Sequence, residues 1–118
     1  MARVTVKGSD LVVGLSIWEK VAALGGDVRV PLSAVRAVDV EPDPWAALRG
    51  VRAPGTGLPG VIAYGKRRSS GGRDFAAVLG RRPAVRVDLD DSAPFGRLVI
   101  SVSDAEATVA DLRTATRR

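Results

Sequence analysis

The segment Val85-Arg86-Val87-Asp88-Leu89 alternates apolar and charged residues with a period of two. Such a rhythm places every apolar side chain on one face of an extended strand and every charge on the other, which a helical period cannot do. The rhythm recurs along the chain. Val4 and Val6 alternate with Thr5 and Lys7, Gly8-Ser9-Asp10 reads as a turn, and Leu11–Leu15 follows, so the first fifteen residues predict a hairpin. Val28 and Val30 flank Arg29, and Val35, Val38 and Val40 sit around Arg36 and Asp39; the phrase VRVPLSAVRAVDV therefore reads as strand, tight turn, strand. Val61–Tyr64, Phe75–Leu79 and Arg97–Val102 complete a set of seven or eight short strands, with connections short enough for antiparallel pairing throughout.

Helical signals interrupt this pattern near both ends. Ser16-Ile17-Trp18-Glu19 fits a capping box, Ile17, Val21 and Leu24 share one helical face, and Gly25-Gly26 stops the run. A helix of about two turns over 17–24 cannot stand alone in water and must pack on something. Ser103-Asp104-Ala105-Glu106 is a second capping box. Ala105, Val109 and Leu112 line one face after it, acids occupy the first turn, and Arg113, Arg117 and Arg118 sit at the end, as the helix dipole favours. Between them, Asp43-Pro44 reads as the cap and first residue of a single helical turn, and Gly50–Gly60 as an open Gly/Pro loop. The fold class that follows is mainly β with α, a single domain over 1–118. Its antiparallel strands form a curved sheet or small barrel, with a short helical insertion near 17–24 and a capping helix near 104–115 closing one end.

Two phrases, Val28–Val40 and Phe95–Arg113 (FGRLVISVSDAEATVADLR), resemble the pleckstrin-homology-like (PH-like) domains of bacterial, actinobacterial proteins. The resemblance covers most of the chain in element order. It implies a split barrel of two antiparallel sheets with the C-terminal helix across its open end, serving as a scaffold that binds a lipid head group, a peptide or a protein. The chain departs from the inositide-binding version, which carries a basic motif between its first two strands: here that turn is Lys7-Gly8-Ser9-Asp10, with one Lys and one Asp.

Composition bears on function by what it withholds. There is no Cys, which excludes disulfides, thiolate metal sites and Cys nucleophiles. There is no His, which removes the commonest general base and metal ligand. The net charge of +5 favours anionic partners. Fifteen of the eighteen basic residues are Arg, a bias that a GC-rich bacterial genome would produce by itself. The first residues, MARVTVKGSDLVV, lack the apolar core of a signal peptide, and no run approaches the roughly 18 apolar residues of a membrane span. A cytoplasmic location is expected, with peripheral contact to a membrane as the alternative.

The motifs have structural readings. GTGLPG at 55–60 matches the dinucleotide fingerprint, yet a β-like run follows it where a helix is needed, and Pro59 removes an N–H that a phosphate would use. Asp88, Asp90 and Asp91 could suggest a cation site, but Arg86 shares the face of Asp88 and Asp90, and the reading is a solvated strand end. Trp18 lies one step off the Ile17–Val21–Leu24 face and is expected in a core or subunit contact, with an exposed anchor as the alternative. Lys66, Arg67, Arg68 and Arg73 fall on one polar turn and Arg81 and Arg82 on another, at opposite ends of the intervening strand, which weakens the case for a nucleic-acid groove.

No catalytic residue, cofactor or metal site is therefore assigned, and the expectation is a non-enzymatic binding module acting in protein–protein interaction or self-assembly. Peripheral binding to anionic membranes is the alternative, and non-specific nucleic-acid binding a second. The candidate partner-binding residues are Arg49, Arg52, Gly55, Gly57, Lys66, Arg67, Arg68 and Arg73.

Overall fold

The computed structural model describes residues 2–23, 26–48, 51–58, 62–69 and 72–116, with side chains except those of 21–23, 51–58 and 69. Strands β1 (Arg3–Lys7) and β2 (Asp10–Gly14) form the predicted hairpin. Its turn passes through Gly8 at φ 63°, a conformation that favours glycine. Strand β3 (Val28–Pro31) pairs antiparallel with the other side of β2, completing a three-stranded sheet. A 3-10 turn over Leu32–Ala34 then carries the chain into β4 (Val35–Glu41), which belongs to the other sheet. VRVPLSAVRAVDV is thus strand, turn, strand as expected, but the two strands do not pair. The turn is held in the crossing by Leu32 N donating to the Ser9 carbonyl and Asp90 N donating to that of buried Ala34, both at 2.9 Å.

The second sheet holds β4, β5 (Val51–Leu58), β6 (Ile62–Ser69), β7 (Gly72–Leu79), β8 (Ala84–Leu89) and β9 (Arg97–Ile100), in the order β4-β8-β9-β7-β6-β5. Nine strands are described where seven or eight were expected, because Gly50–Gly60 is not an open loop over Val51–Leu58: that stretch is edge strand β5, paired with β6. Its register shifts between Arg52 and Gly55, around Pro54. Such a bulge on an edge strand is where a sheet tolerates proline, since no ladder partner waits for the missing N–H.

The expectation of antiparallel pairing throughout fails at one place: β7 and β9 are parallel. The short link after β7 steps over one strand position to reach β8, leaving a slot about two inter-strand spacings wide. The strand returning from β8 fills that slot and must run in the direction of β7. Gly96 N donating to the Arg73 carbonyl (2.7 Å), Ser101 N donating to that of Ala77 (2.8 Å) and Leu79 N donating to Ser101 Oγ (2.9 Å) tie the inserted strand at both ends.

Strand alternation gives this sheet two different faces. Val38, Tyr64, Phe75, Ala77, Val85, Val87, Leu98 and Ile100 point into the main core, against Val4, Leu11, Val13 and Val30 of the small sheet. Ala63, Ala76, Val78, Ala84 and Val99 point the other way, into a second cluster covered by Trp45, Ala47 and Leu48 of and after α2 (Pro44–Ala47). Asp43 caps α2 through Trp45 N at 3.2 Å, as expected from Asp-Pro. The Trp45 indole N–H donates to the Gly80 carbonyl at 2.8 Å, satisfying the one polar atom of a largely apolar side chain.

Helices close the two seams between the sheets. Helix α3 (Ala105–Thr116) packs on β4, β8 and β1. Its predicted face of Ala105, Val109 and Leu112 is the buried one. Its cap is Asp104 rather than Ser103, since Asp104 Oδ1 accepts from Ala107 N at 3.0 Å. Helix α1 (Ile17–Ala23) packs on β5 and β6 at the opposite seam, and Leu24 of its predicted span lies outside the described residues. Leu112 lies at the centre of the α3 contact with essentially no exposure. Leu112→Ala is expected to destabilise the protein by about 2–5 kcal/mol, read as a lower urea midpoint at unchanged slope.

Candidate functional site

Helix α1 is built around a buried carboxylate. Ser16 and Glu19 form the reciprocal capping box that their spacing predicts: Ser16 N donates to Glu19 Oε1 at 3.0 Å, and Glu19 N donates to Ser16 Oγ at 3.4 Å. The structure adds a third partner. Tyr64 of β6 donates its hydroxyl to Glu19 Oε2 at 2.9 Å, and Glu19 is fully buried. A buried carboxylate is tolerated only where such donors replace water. Burial, and then the hydrogen bond to Glu19 and its charge, push the Tyr64 hydroxyl above its ordinary value of 10.0.

This inward-pointing Glu19 corrects the expected face of α1. Ile17 precedes Glu19 by two residues, roughly 200° around a helix, so burying Glu19 turns Ile17 outward. Ile17 is 83% exposed and Trp18 50% exposed. The Trp18 ring meets Tyr64 edge-on at 5.3 Å, so this side chain is neither core nor free of the fold. Val21 and Leu24, the other members of the predicted face, lie outside the described side chains.

The predicted partner-binding residues divide among several places. Arg49 lies outside the described residues. Arg52, Gly55 and Gly57 sit on β5, in register with Arg67, Gly65 and Ala63 of β6. The glycines of GTGLPG thus begin as members of an edge strand rather than of a loop, and Pro59 and Gly60 lie outside the described residues. Lys66–Arg73 is not a broad polar turn either: β6 continues to Ser69 and β7 begins at Gly72. Arg68 stands directly opposite Arg73, and Lys66 opposite Phe75. Arg67 falls on the other face of β6, opposite the buried Asp74, a pairing that contiguous sequence does not reveal. Arg81 and Arg82 lie beyond the far end of β7, as expected.

Most charges on the outer face of the large sheet are tied to one another. Arg86 of β8 reaches Asp39 Oδ2 at 2.9 Å and Glu41 Oε2 at 3.0 Å on β4, and Asp88 Oδ2 at 3.3 Å on its own strand. Partial burial works against its charged form, but these carboxylates hold its pKa above the ordinary value. Arg97 of β9 donates to Asp88 Oδ1 at 2.7 Å and to the Ala47 carbonyl at 3.0 Å, fastening α2 to the sheet. Asp88 is therefore a bridge between two guanidinium groups. Lys66, Arg68 and Arg73, by contrast, are exposed and have no carboxylate within ion-pairing distance among the described residues.

A groove that the sequence did not announce runs between the edge of β4 and helix α3. Arg113 Nε donates to the Val38 carbonyl at 2.8 Å, and its Nη2 meets Asp39 Oδ1 at 2.7 Å. Since the Val38 carbonyl points away from β8, its own N–H and both backbone groups of Val40 also face the open edge, by the alternation of an antiparallel ladder. One hollow of about 390 Å³ lies at Val35–Asp39 beside Arg113 and Thr116. A second of about 440 Å³ lies at Val40 and Pro42, bounded by Arg82, Val102 and the start of α3.

The Tyr64–Glu19 bond gives the alkaline behaviour a sign. A folded-state pKa raised above the unfolded one leaves stability intact below pH 10.0 and removes it progressively as pH rises beyond. Tyrosinate absorbance from this single tyrosine is expected to appear well above its ordinary range, together with that loss, and Tyr64→Phe is expected to flatten the loss. No family model, curated protein or solved structure matches the chain.

Proposed function

We propose that the chain is a non-enzymatic binding module that takes an extended segment of a partner protein along the edge of β4. The observation that carries this reading is the row of edge-facing backbone groups at Val38 and Val40, of which Arg113 takes the Val38 carbonyl, beside a groove whose other wall is α3. An extended peptide adds to such an edge by main-chain hydrogen bonds, and its alternate side chains need recesses at regular spacing. Hollows lie beside the strand at Val35–Asp39 and at Val40–Pro42. Arg113 occupies one edge carbonyl and leaves the neighbouring donors open, so it reads as a partial guard against indiscriminate strand pairing.

Two sheets and a C-terminal helix are general features of a mainly β chain with α, and the mixed sheet with its parallel β7–β9 pair differs from the two antiparallel sheets that the PH-like resemblance implies. The absence of His and Cys from the chain favours binding over catalysis. Among the described residues no helix is long and apolar enough to cross a membrane.

Selection from a library of extended peptides tests the proposal. Selected peptides are expected to slow hydrogen exchange at the Val38 and Val40 amides. Val40→Pro, which deletes an edge donor, is expected to weaken binding about tenfold, whereas Val40→Ala retains it. Binders that leave both amides unprotected, or a library that yields none, would overturn the reading.

A further inference from the structure

The surface around α1 and the β6–β7 hairpin is distinct from the β4 groove and calls for a different partner. Tyr64, Lys66 and Arg68 alternate along β6 and so project from one face of the strand, with Arg73 beside Arg68 across the hairpin. Helix α1 sits over Tyr64 on that same face, through the Trp18 ring contact and the Glu19 bond. Two side chains that water disfavours, Ile17 and Trp18, are therefore held on the side from which the cations project, within about 13 Å of strand length.

Neither half of this surface is explained by the fold. Like charges directly opposite one another on a hairpin repel, and Arg68 and Arg73 have no carboxylate among the described residues to relieve them. Ile17 contributes almost nothing to the core while occupying the first position of a helix whose neighbouring residue Glu19 is locked inward. Several of the other cations are matched, Lys20 with Asp27, Arg29 with Asp10, Arg86 and Arg97 with Asp88, and Arg113 with Asp39, whereas Arg68 and Arg73 face each other across the hairpin.

We propose that this surface docks on an anionic bilayer, with Ile17 and Trp18 entering the boundary between head groups and acyl chains and Lys66, Arg68 and Arg73 lying against lipid phosphates. The pairing of chemistries selects a bilayer over other polyanions. An aliphatic Ile has no π face on which a nucleic-acid base could stack, but it gains directly from an acyl environment. Indole prefers the interface between the two media, and cations near an anionic surface add to the attraction. The net charge of +5 attracts the chain to such a surface before contact.

Sedimentation with vesicles of phosphatidylcholine, with and without phosphatidylglycerol, at physiological salt tests this directly. The chain is expected to sediment with the phosphatidylglycerol vesicles and not with phosphatidylcholine alone. Replacing Arg68 and Arg73 by Glu is expected to cost at least roughly fivefold in partitioning per residue. Ile17→Ser touches a side chain the fold does not use, and is expected to lower partitioning about tenfold with unchanged circular dichroism. Acyl-brominated lipid is expected to quench tryptophan emission in the wild type. Binding that ignores lipid charge, Ile17→Ser binding as wild type, release from vesicles by a single-stranded RNA oligonucleotide, or no binding would each overturn the proposal. Val40→Pro is expected to leave vesicle binding unchanged, so failure at the membrane and failure at the peptide groove are separately visible.

Discussion

The insertion of β9 between β7 and β8 is the constraint on which the rest of the structure depends. Leu98, Val99 and Ile100 are buried on both faces, Leu98 and Ile100 in the main core and Val99 in the cluster under α2. A strand covered on both sides must be apolar on both sides, which is why this segment reads LVI while its neighbour β8 alternates. Its presence joins the long-range antiparallel pair β4-β8 on one side and the meander β7-β6-β5 on the other into one six-stranded sheet. Without it the backbone of Ala77 and Leu79 would lose the partners supplied by Ser101, and the two halves of the core would have no common wall.

Both proposed surfaces are consequences of that sheet's width. A six-stranded sheet opposite a three-stranded one leaves seams on either side, and each is filled by a helix set against strands near the edge of the large sheet. At the β4 seam, α3 buries Val109 and Leu112 and stands beside the edge, which makes a groove. At the β5–β6 seam, α1 is too short to present a broad apolar face. It is anchored by a polar contact, Glu19 to Tyr64, and its apolar first-turn side chains are left outward. One seam thus exposes backbone and the other exposes side chains, and backbone and side chains recognise different partners.

Local periodicity carried the strand pattern, the Ser16–Glu19 capping box and the buried face of α3, because those depend on residues within one turn or one strand of each other, while the cap of α3 fell one residue later than its spacing implies, on Asp104. It failed where the deciding partner was remote in sequence. Gly/Pro content made 50–60 resemble a loop, yet β6 recruits Val51–Leu58 as an edge strand with a bulge around Pro54. Apolar spacing alone puts Ile17 on a buried face, because it cannot register that Tyr64, 45 residues from Glu19, draws the carboxylate inward instead. Of the proposed cations, Lys66, Arg68 and Arg73 remain together on one face, while Arg67 turns to the other, opposite Asp74.

By itself, the amino-acid sequence determined that this chain forms short strands with a capped C-terminal helix, and that its chemistry lacks His and Cys. Those are properties of composition and of residues a few positions apart. Tertiary structure alone decided which strands are neighbours, that β9 runs parallel to β7, which edge stays open, and which charges find partners. The physical reason is that a strand's hydrogen-bonding groups and a side chain's counter-charge are satisfied by whatever lies beside them in space. In a sheet ordered β4-β8-β9-β7-β6-β5, that neighbour is seldom the next one along the chain.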